Sequence, residues 1–225
     1  MSQNLTVSSN SDPKGLEVEP SRRERKAVER RLAILRAAAG VFRDRGYGSA
    51  SMDEIAERLD MAKGNLYYYF SNKHELLFFC QDASLDTLIA GVDAIAASDL
   101  DVVERVRQAI VSHVVCVLDE LDGASAHTEV HALPDELRGR VIAKRDLYEA
   151  RFRALIEDGI SGGAFASVDA KLAALAILGA LNASTRWYKP GGERSPHAIG
   201  EHFAALFLDG LRIAAPASPN LRRIR

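Results

Sequence analysis

Cysteine is scarce in this 225-residue chain, with Cys80 and Cys116 as the whole complement. Two thiols cannot build a disulfide framework. They fit a reducing compartment, where isolated cysteines act as small buried apolar residues. No apolar run approaches the roughly 20 residues that span a bilayer. The twin-arginine pair Arg22-Arg23 is followed by Glu24, Arg25 and Lys26 rather than by an apolar segment. An export signal is therefore rejected and a cytoplasmic location expected. Neither a P-loop nor a G-x-G-x-x-G run occurs, and no cofactor is expected.

Two partial signals are also declined. Gly159-Ile160-Ser161-Gly162-Gly163 fits G-x-S-x-G, but a nucleophile elbow needs a strand before it. A long helical pattern precedes this one, so the segment is read as a helix stop beginning at Gly159. His127 and His131 stand four apart with Glu129 between them. The order is not H-E-x-x-H and no third ligand is evident, so no metal is assigned.

The net charge of −2 conceals an asymmetry. Residues 21–73 hold twelve Lys/Arg against seven Asp/Glu, whereas residues 74–225 hold sixteen against twenty-one. A basic end on an acidic body points to an anionic partner met by one end.

Apolar residues recur at helical spacing throughout, and no stretch demands a strand. The expectation is an all-α protein of about nine helices. Residues 1–20 are polar and read as a disordered arm. A first helix covers Ser21 to Arg45, with Gly46 as a left-handed cap. Ser51 and Glu54 form a capping box for a short second helix, and Asp60-Met61 makes the turn to a third, about Ala62 to Tyr69. Asn72 caps a fourth running towards Ala97. Further helices are expected at Leu100–Leu121, around His127–His131, and at Asp135–Asp158, Val168–Trp187 and Ser195–Ile213. Pro196 takes the favoured first position of the last one. Residues 214–225 read as a flexible tail. The domains are then a head (21–73) and a body (74–213).

Tyr67, Tyr68, Tyr69 and Phe70 stand in a row, so one core face cannot accept all four rings. Leu66 and Phe70 share the inward face. Tyr67 and Tyr68 turn away from it, and Tyr69 lies at its edge. Two short helices joined by a tight turn, braced by a helix on either side, make a helix-turn-helix. The outward first turn of the third helix carries Lys63, Gly64 and Asn65. Lys63 and Asn65 have donors that reach bases or phosphates, and Gly64 permits close backbone approach.

These residues resemble the N-terminal domain of the TetR family of bacterial transcriptional regulators. The likeness rests on Ser51–Ala56, Ala62–Phe70, Asn72-Lys73 and the preceding Ile34-Leu35, Ala38, Phe42 and Gly46-Tyr47. It implies a ligand-responsive DNA-binding regulator, most often a repressor on palindromic double-stranded DNA. It implies DNA contacts from Ser51, Met52, Lys63, Gly64, Asn65, Tyr67, Tyr68, Tyr69 and Lys73. Two positions depart from the pattern. Ala62 stands where a capping Ser or Thr is frequent, and Asp53 stands where a basic or polar residue is often found.

The same resemblance makes the last two helices the homodimer interface, consistent with apolar residues on more than one of their faces. Asn182, Arg186–Gly192 and Ser195-Pro196 are similar to a subgroup controlling fatty-acid, steroid and aromatic-acid breakdown, several of whose members answer to acyl-CoA thioesters. The candidate effector contacts are Phe79, His113, Cys116, His131, Tyr148, Phe152, Arg186 and Trp187. A hydrophobic drug as effector, and a helical enzyme or carrier that does not use its helix-turn-helix, are the alternatives.

Overall fold

A computed structural model describes residues 21–120 and 129–212. The expected N-terminal arm, His127 and the C-terminal tail lie outside these residues. Eight α-helices are present among the described residues: α1 (Arg22–Arg45), α2 (Met52–Arg58), α3 (Lys63–Tyr69), α4 (Lys73–Ala96), α5 (Val102–Val115), α6 (Asp135–Ser161), α7 (Ala170–Ala183) and α8 (Pro196–Leu211). About nine were expected. In place of a helix at His131 there is one 3₁₀ turn, Val130–Ala132. Helix α5 continues as a π turn over Cys116–Glu120.

Local chemistry sets most boundaries. Gly46 has φ +74°, the left-handed value that ends α1. The Ser51 hydroxyl accepts from the Glu54 amide at 3.2 Å, and Glu54 accepts from the Ser51 amide at 3.1 Å. Asp60, at φ +50°, makes the turn between α2 and α3. Asn72, Asp101, Asp169 and Ser195 each accept an amide at the start of α4, α5, α7 and α8. Helix α3 starts from Ala62, which has no side-chain acceptor to offer.

Gly159 does not stop α6. The helix continues to Ser161, and the reversal falls at Gly163 with φ +73°. Gly159 is instead a contact surface: a Cβ there would lie 2.2 Å from the Phe165 ring. Phe165 is buried, and the next residue, Ala166, donates its amide to the Leu211 carbonyl at the end of α8. Another close approach joins α5 to α8, where a Cβ on Gly200 would lie 2.9 Å from the Val111 Cα.

Two apolar clusters divide the molecule. One gathers Ile34, Phe42, Ile55, Leu66 and Phe70 with Leu76, Leu77 and Val141. The other gathers Ile110, Val114, Phe152, Ile156, Ile177 and Leu208. Helix α4 contributes to both, through Leu76 at its start and Val92 near its end. Helix α6 runs along α4, with Lys144 set 2.7 Å from Asp82 and from Asp86, and Arg151 3.3 Å from Asp93. No helix among the described residues is long and apolar enough to cross a membrane.

Candidate DNA interface and effector chamber

Helix α3 sorts its aromatic run as its spacing requires. Leu66 is fully buried and Phe70 nearly so. Tyr68 is 85% exposed and Tyr67 43% exposed, while Tyr69 is half-buried with its ring edge-on to Tyr68 at 5.5 Å. Lys63, Gly64 and Asn65 are exposed beside them, and space around Gly64 is open. The outer face of α3 therefore offers an ammonium, an amide and two phenols from a firmly anchored helix.

Three residues expected on this face have other engagements. Met52 is only 7% exposed and belongs to the head core, so it presents no side chain to a groove. The Ser51 hydroxyl is committed to the capping box with Glu54. Lys73 donates to the carbonyls of Tyr47, Gly48 and Ala50 at 2.7, 3.1 and 2.9 Å, and its ammonium lies 4.5 Å from the centre of the Tyr47 ring. An ammonium has three donors, so this one is used in bracing the loop between α1 and α2.

Asp53 also finds a role. It accepts from Lys63 at 2.6 Å, and that hydrogen bond raises the Lys63 pKa above its ordinary value. On the head, Lys26, Arg30 and Arg31 of α1 line an open groove with Tyr68 and Tyr69. Sequence reasoning missed these three cations as site residues. Their signal was the net positive charge of residues 21–73.

One contact set ties head to body. The His74 Nδ1 lies 2.8 Å from the Tyr47 hydroxyl and 2.9 Å from the Ala132 carbonyl oxygen. In a neutral ring that nitrogen either accepts from the phenol or donates to the carbonyl. Phe79 packs against the head cluster, half-buried, 5.0 Å from the Phe70 ring and beneath the Arg31 guanidinium.

Two chambers lie among the described residues of the body. The larger, of about 880 Å³, lies between α4, α5, the Val130–Ala132 turn, α6 and α7. It brings together His113, His131, Tyr148 and Arg186 from the expected set, and adds Asn182, Arg145, Arg153 and Lys171. The last three were missed. Arg145 stands three residues before Tyr148 on α6, a helical spacing that could have found it; Arg153, five residues after Tyr148, carried no such signal. Arg153 is already paired with Glu149 and Glu157, each at 3.1 Å. A smaller chamber, of about 460 Å³, lies between α4, α5 and α8 and takes Cys116 into its wall.

A polar chain crosses the body from α6 through α5 to α7. Burial raises the Tyr148 pKa well above the usual phenol value, so its hydroxyl keeps its proton and donates to His113 Nδ1 at 3.0 Å. Burial pushes the His113 pKa down to about 4, so the ring is neutral and its Nε2–H donates to Asn182 Oδ1 at 3.3 Å. Phe79, Phe152 and Trp187 are not brought to either chamber. Phe152 is fully buried in the body core, whereas Trp187 is 55% exposed against Phe203.

Comparison with known proteins agrees with this geometry. Residues 34–78 match the family described as bacterial regulatory proteins, tetR family, and residues 99–211 match the tetracyclin repressor-like C-terminal domain. The transcriptional repressor KstR2 of Rhodococcus jostii is 28% identical over 191 residues, covering 81% of this chain and 91% of its own. The crystal structure of PfmR from Thermus thermophilus is 29% identical with a TM-score of 0.73, covering 80% of this chain and 99% of that one. AibR, solved with isovaleryl coenzyme A and operator DNA, is 27% identical with a TM-score of 0.65, covering 81% and 98%. A basic helix-turn-helix head on a chambered helical body, matched to the family over both parts, makes this chain a member of the TetR family of DNA-binding transcriptional regulators.

Proposed function

We propose that the chain is a repressor that holds a near-palindromic operator as a homodimer and leaves it when a coenzyme A thioester enters the larger chamber. The observation that carries this reading is the chamber itself: Arg145, Arg153, Lys171 and Arg186 surround a cavity that also offers Leu85, Leu88 and Leu178. Cations suit the phosphates of such a ligand, and an apolar wall suits its acyl part. The likeness to AibR, whose structure holds isovaleryl coenzyme A and operator DNA, supports the same ligand class. The likeness to KstR2 supports repression.

In this reading the head, residues 21–73, meets DNA through Lys63, Gly64, Asn65, Tyr67 and Tyr68, with Tyr69 at the edge and Lys26 and Arg30 on the adjoining backbone. Ser51 and Lys73 act one step behind, by fixing α2 and the loop before it. The body dimerises through α7 and α8. Leu172, Leu175, Ala176, Gly179 and Ala183 form one exposed stripe on α7, of which Leu175 and Gly179 also line the larger chamber, and Leu206 is 66% exposed on α8. Covering such a stripe with its own copy places two α3 helices on one face of DNA, about 34–36 Å apart. Release follows if the thioester favours a subunit arrangement that breaks this spacing.

Fluorescence anisotropy with the DNA upstream of the protein's own gene tests the reading. Retention that weakens steeply with salt, and release by isovaleryl or longer coenzyme A thioesters, are the expected results. Tyr67→Ala should lower operator affinity about tenfold, the loss of one hydrogen bond to a charged phosphate, with melting and dimer mass unchanged. DNA that is never bound, or bound equally with and without every thioester, would sink the proposal.

A further inference from the structure

The two chambers of the body share a wall. Leu88 of α4 and Tyr148 of α6 line both, with His113 on one side of the partition and Cys116 on the other. The smaller chamber carries none of the cation cluster of the larger one. Its surface is mostly aliphatic, from Leu88, Val92, Ile95, Val111 and Val115, with Arg107, His197 and Glu201 among the residues from α5 and α8 that complete it. Arg107 is held there by Glu104 at 2.5 Å and by Glu201, so its charge is answered within the wall.

We infer that the smaller chamber is a second compartment of the effector site, built for an extended apolar group, and that Tyr148 is the divider that decides which effectors reach it. This rests on the thioester reading of the larger chamber and names its specificity residue. The divider is an aromatic side chain rather than backbone, so rotation about its two side-chain torsions can open it. What holds it closed is the hydrogen bond from its hydroxyl to His113 Nδ1, in a chain whose far end is Asn182 at the larger chamber, together with its stacking on the His113 ring and its packing against Phe152. A compact acyl group fits without disturbing that chain. A long one gains apolar contact with Val92, Ile95 and Val115 after displacing the ring, and that displacement is charged against its affinity.

Isothermal titration of the full-length protein with coenzyme A and its butyryl, octanoyl and palmitoyl thioesters tests the inference. Tyr148→Ala should raise palmitoyl affinity relative to butyryl by about tenfold or more, the worth of a few methylenes newly buried. Leu88→Ala thins the same wall from α4 and should shift the ratio in the same direction, which keeps the test valid if Tyr148→Ala does not fold. Gly91 also lines the smaller chamber, and a Cβ there meets nothing within 4 Å. Adding Gly91→Leu to Tyr148→Ala should occupy part of the compartment beside Val92 and Ile95 and reduce the gain several-fold. If the wild type binds thioesters but the chain-length ratio is the same in every variant, the divider is overturned and the thioester reading stands. A gain that Gly91→Leu leaves intact overturns the second compartment. If folded protein binds none of the four ligands, both readings fall together.

Discussion

Head and body solve opposite problems with the same secondary structure. The head keeps its working side chains outside and spends its interior on holding them still: Leu66 and Phe70 are buried so that Tyr67 and Tyr68 can be exposed. The body turns its polar side chains inward, so His113 and Tyr148 both line the chamber and belong to the packing. A change on the outer face of the head should therefore alter binding and spare stability. A change in the chamber wall should alter both.

Glycine gives the sharpest test of that contrast. Gly159→Ala should cost about 1–3 kcal/mol in urea denaturation, because the added carbon collides with the Phe165 ring. Full stability would mean that the loop after α6 is not held where Phe165 places it. Gly64→Ala is the counterpart in the head. It meets open space and should leave the protein as stable or up to about 1 kcal/mol more so, yet weaken operator binding by crowding the backbone approach. Unaltered DNA affinity would remove α3's first turn from the interface.

Acid probes the body in the same way. His113 has a folded-state pKa near 4, below the ordinary 6.5, because burial disfavours its charged form. The unfolded chain therefore binds the proton more readily between these values. The stability from the neutral buried ring is complete above pH 6.5 and declines as pH falls towards 4, by roughly 1.4 kcal/mol per pH unit. Melting temperatures across this range should fall in the wild type and fall less in His113→Asn; parallel curves would show that another group governs acid sensitivity. The smallest effect should come from Asp53→Asn in the head. Freeing Lys63 from its carboxylate partner should tighten DNA binding and steepen the salt slope by about one phosphate contact, with no change in melting.

The same division decided what could be read from the sequence. Caps are written in adjacent residues, so Gly46, Ser51 with Glu54, Asn72 and Ser195-Pro196 located their helix ends without any knowledge of packing. The aromatic run was sorted correctly because its answer depends on helical spacing alone. Met52 and Lys73 went otherwise because their partners are distant in sequence. Nothing near Lys73 announces that carbonyls 23 to 26 positions earlier would take its protons. Gly159 was read as punctuation for the same reason, since its function is the Phe165 ring across a turn. In the body, His113, Tyr148 and Arg186 converge from three helix regions, whereas Phe152, one turn from Tyr148, faces the core. Adjacency on a helix could not tell these two apart.

The single nitrogen at His74 carries a consequence for how the two regions communicate. Its two candidate partners belong to different regions: Tyr47 to the loop that Lys73 braces, and Ala132 to the turn whose Val130 and His131 wall the larger chamber. One ring nitrogen thus stands within hydrogen-bond reach of both the chamber's turn and the head's loop. A shift of the chamber's turn would reach the head's loop through this one atom, and a shift of the loop would reach the chamber wall by the same route.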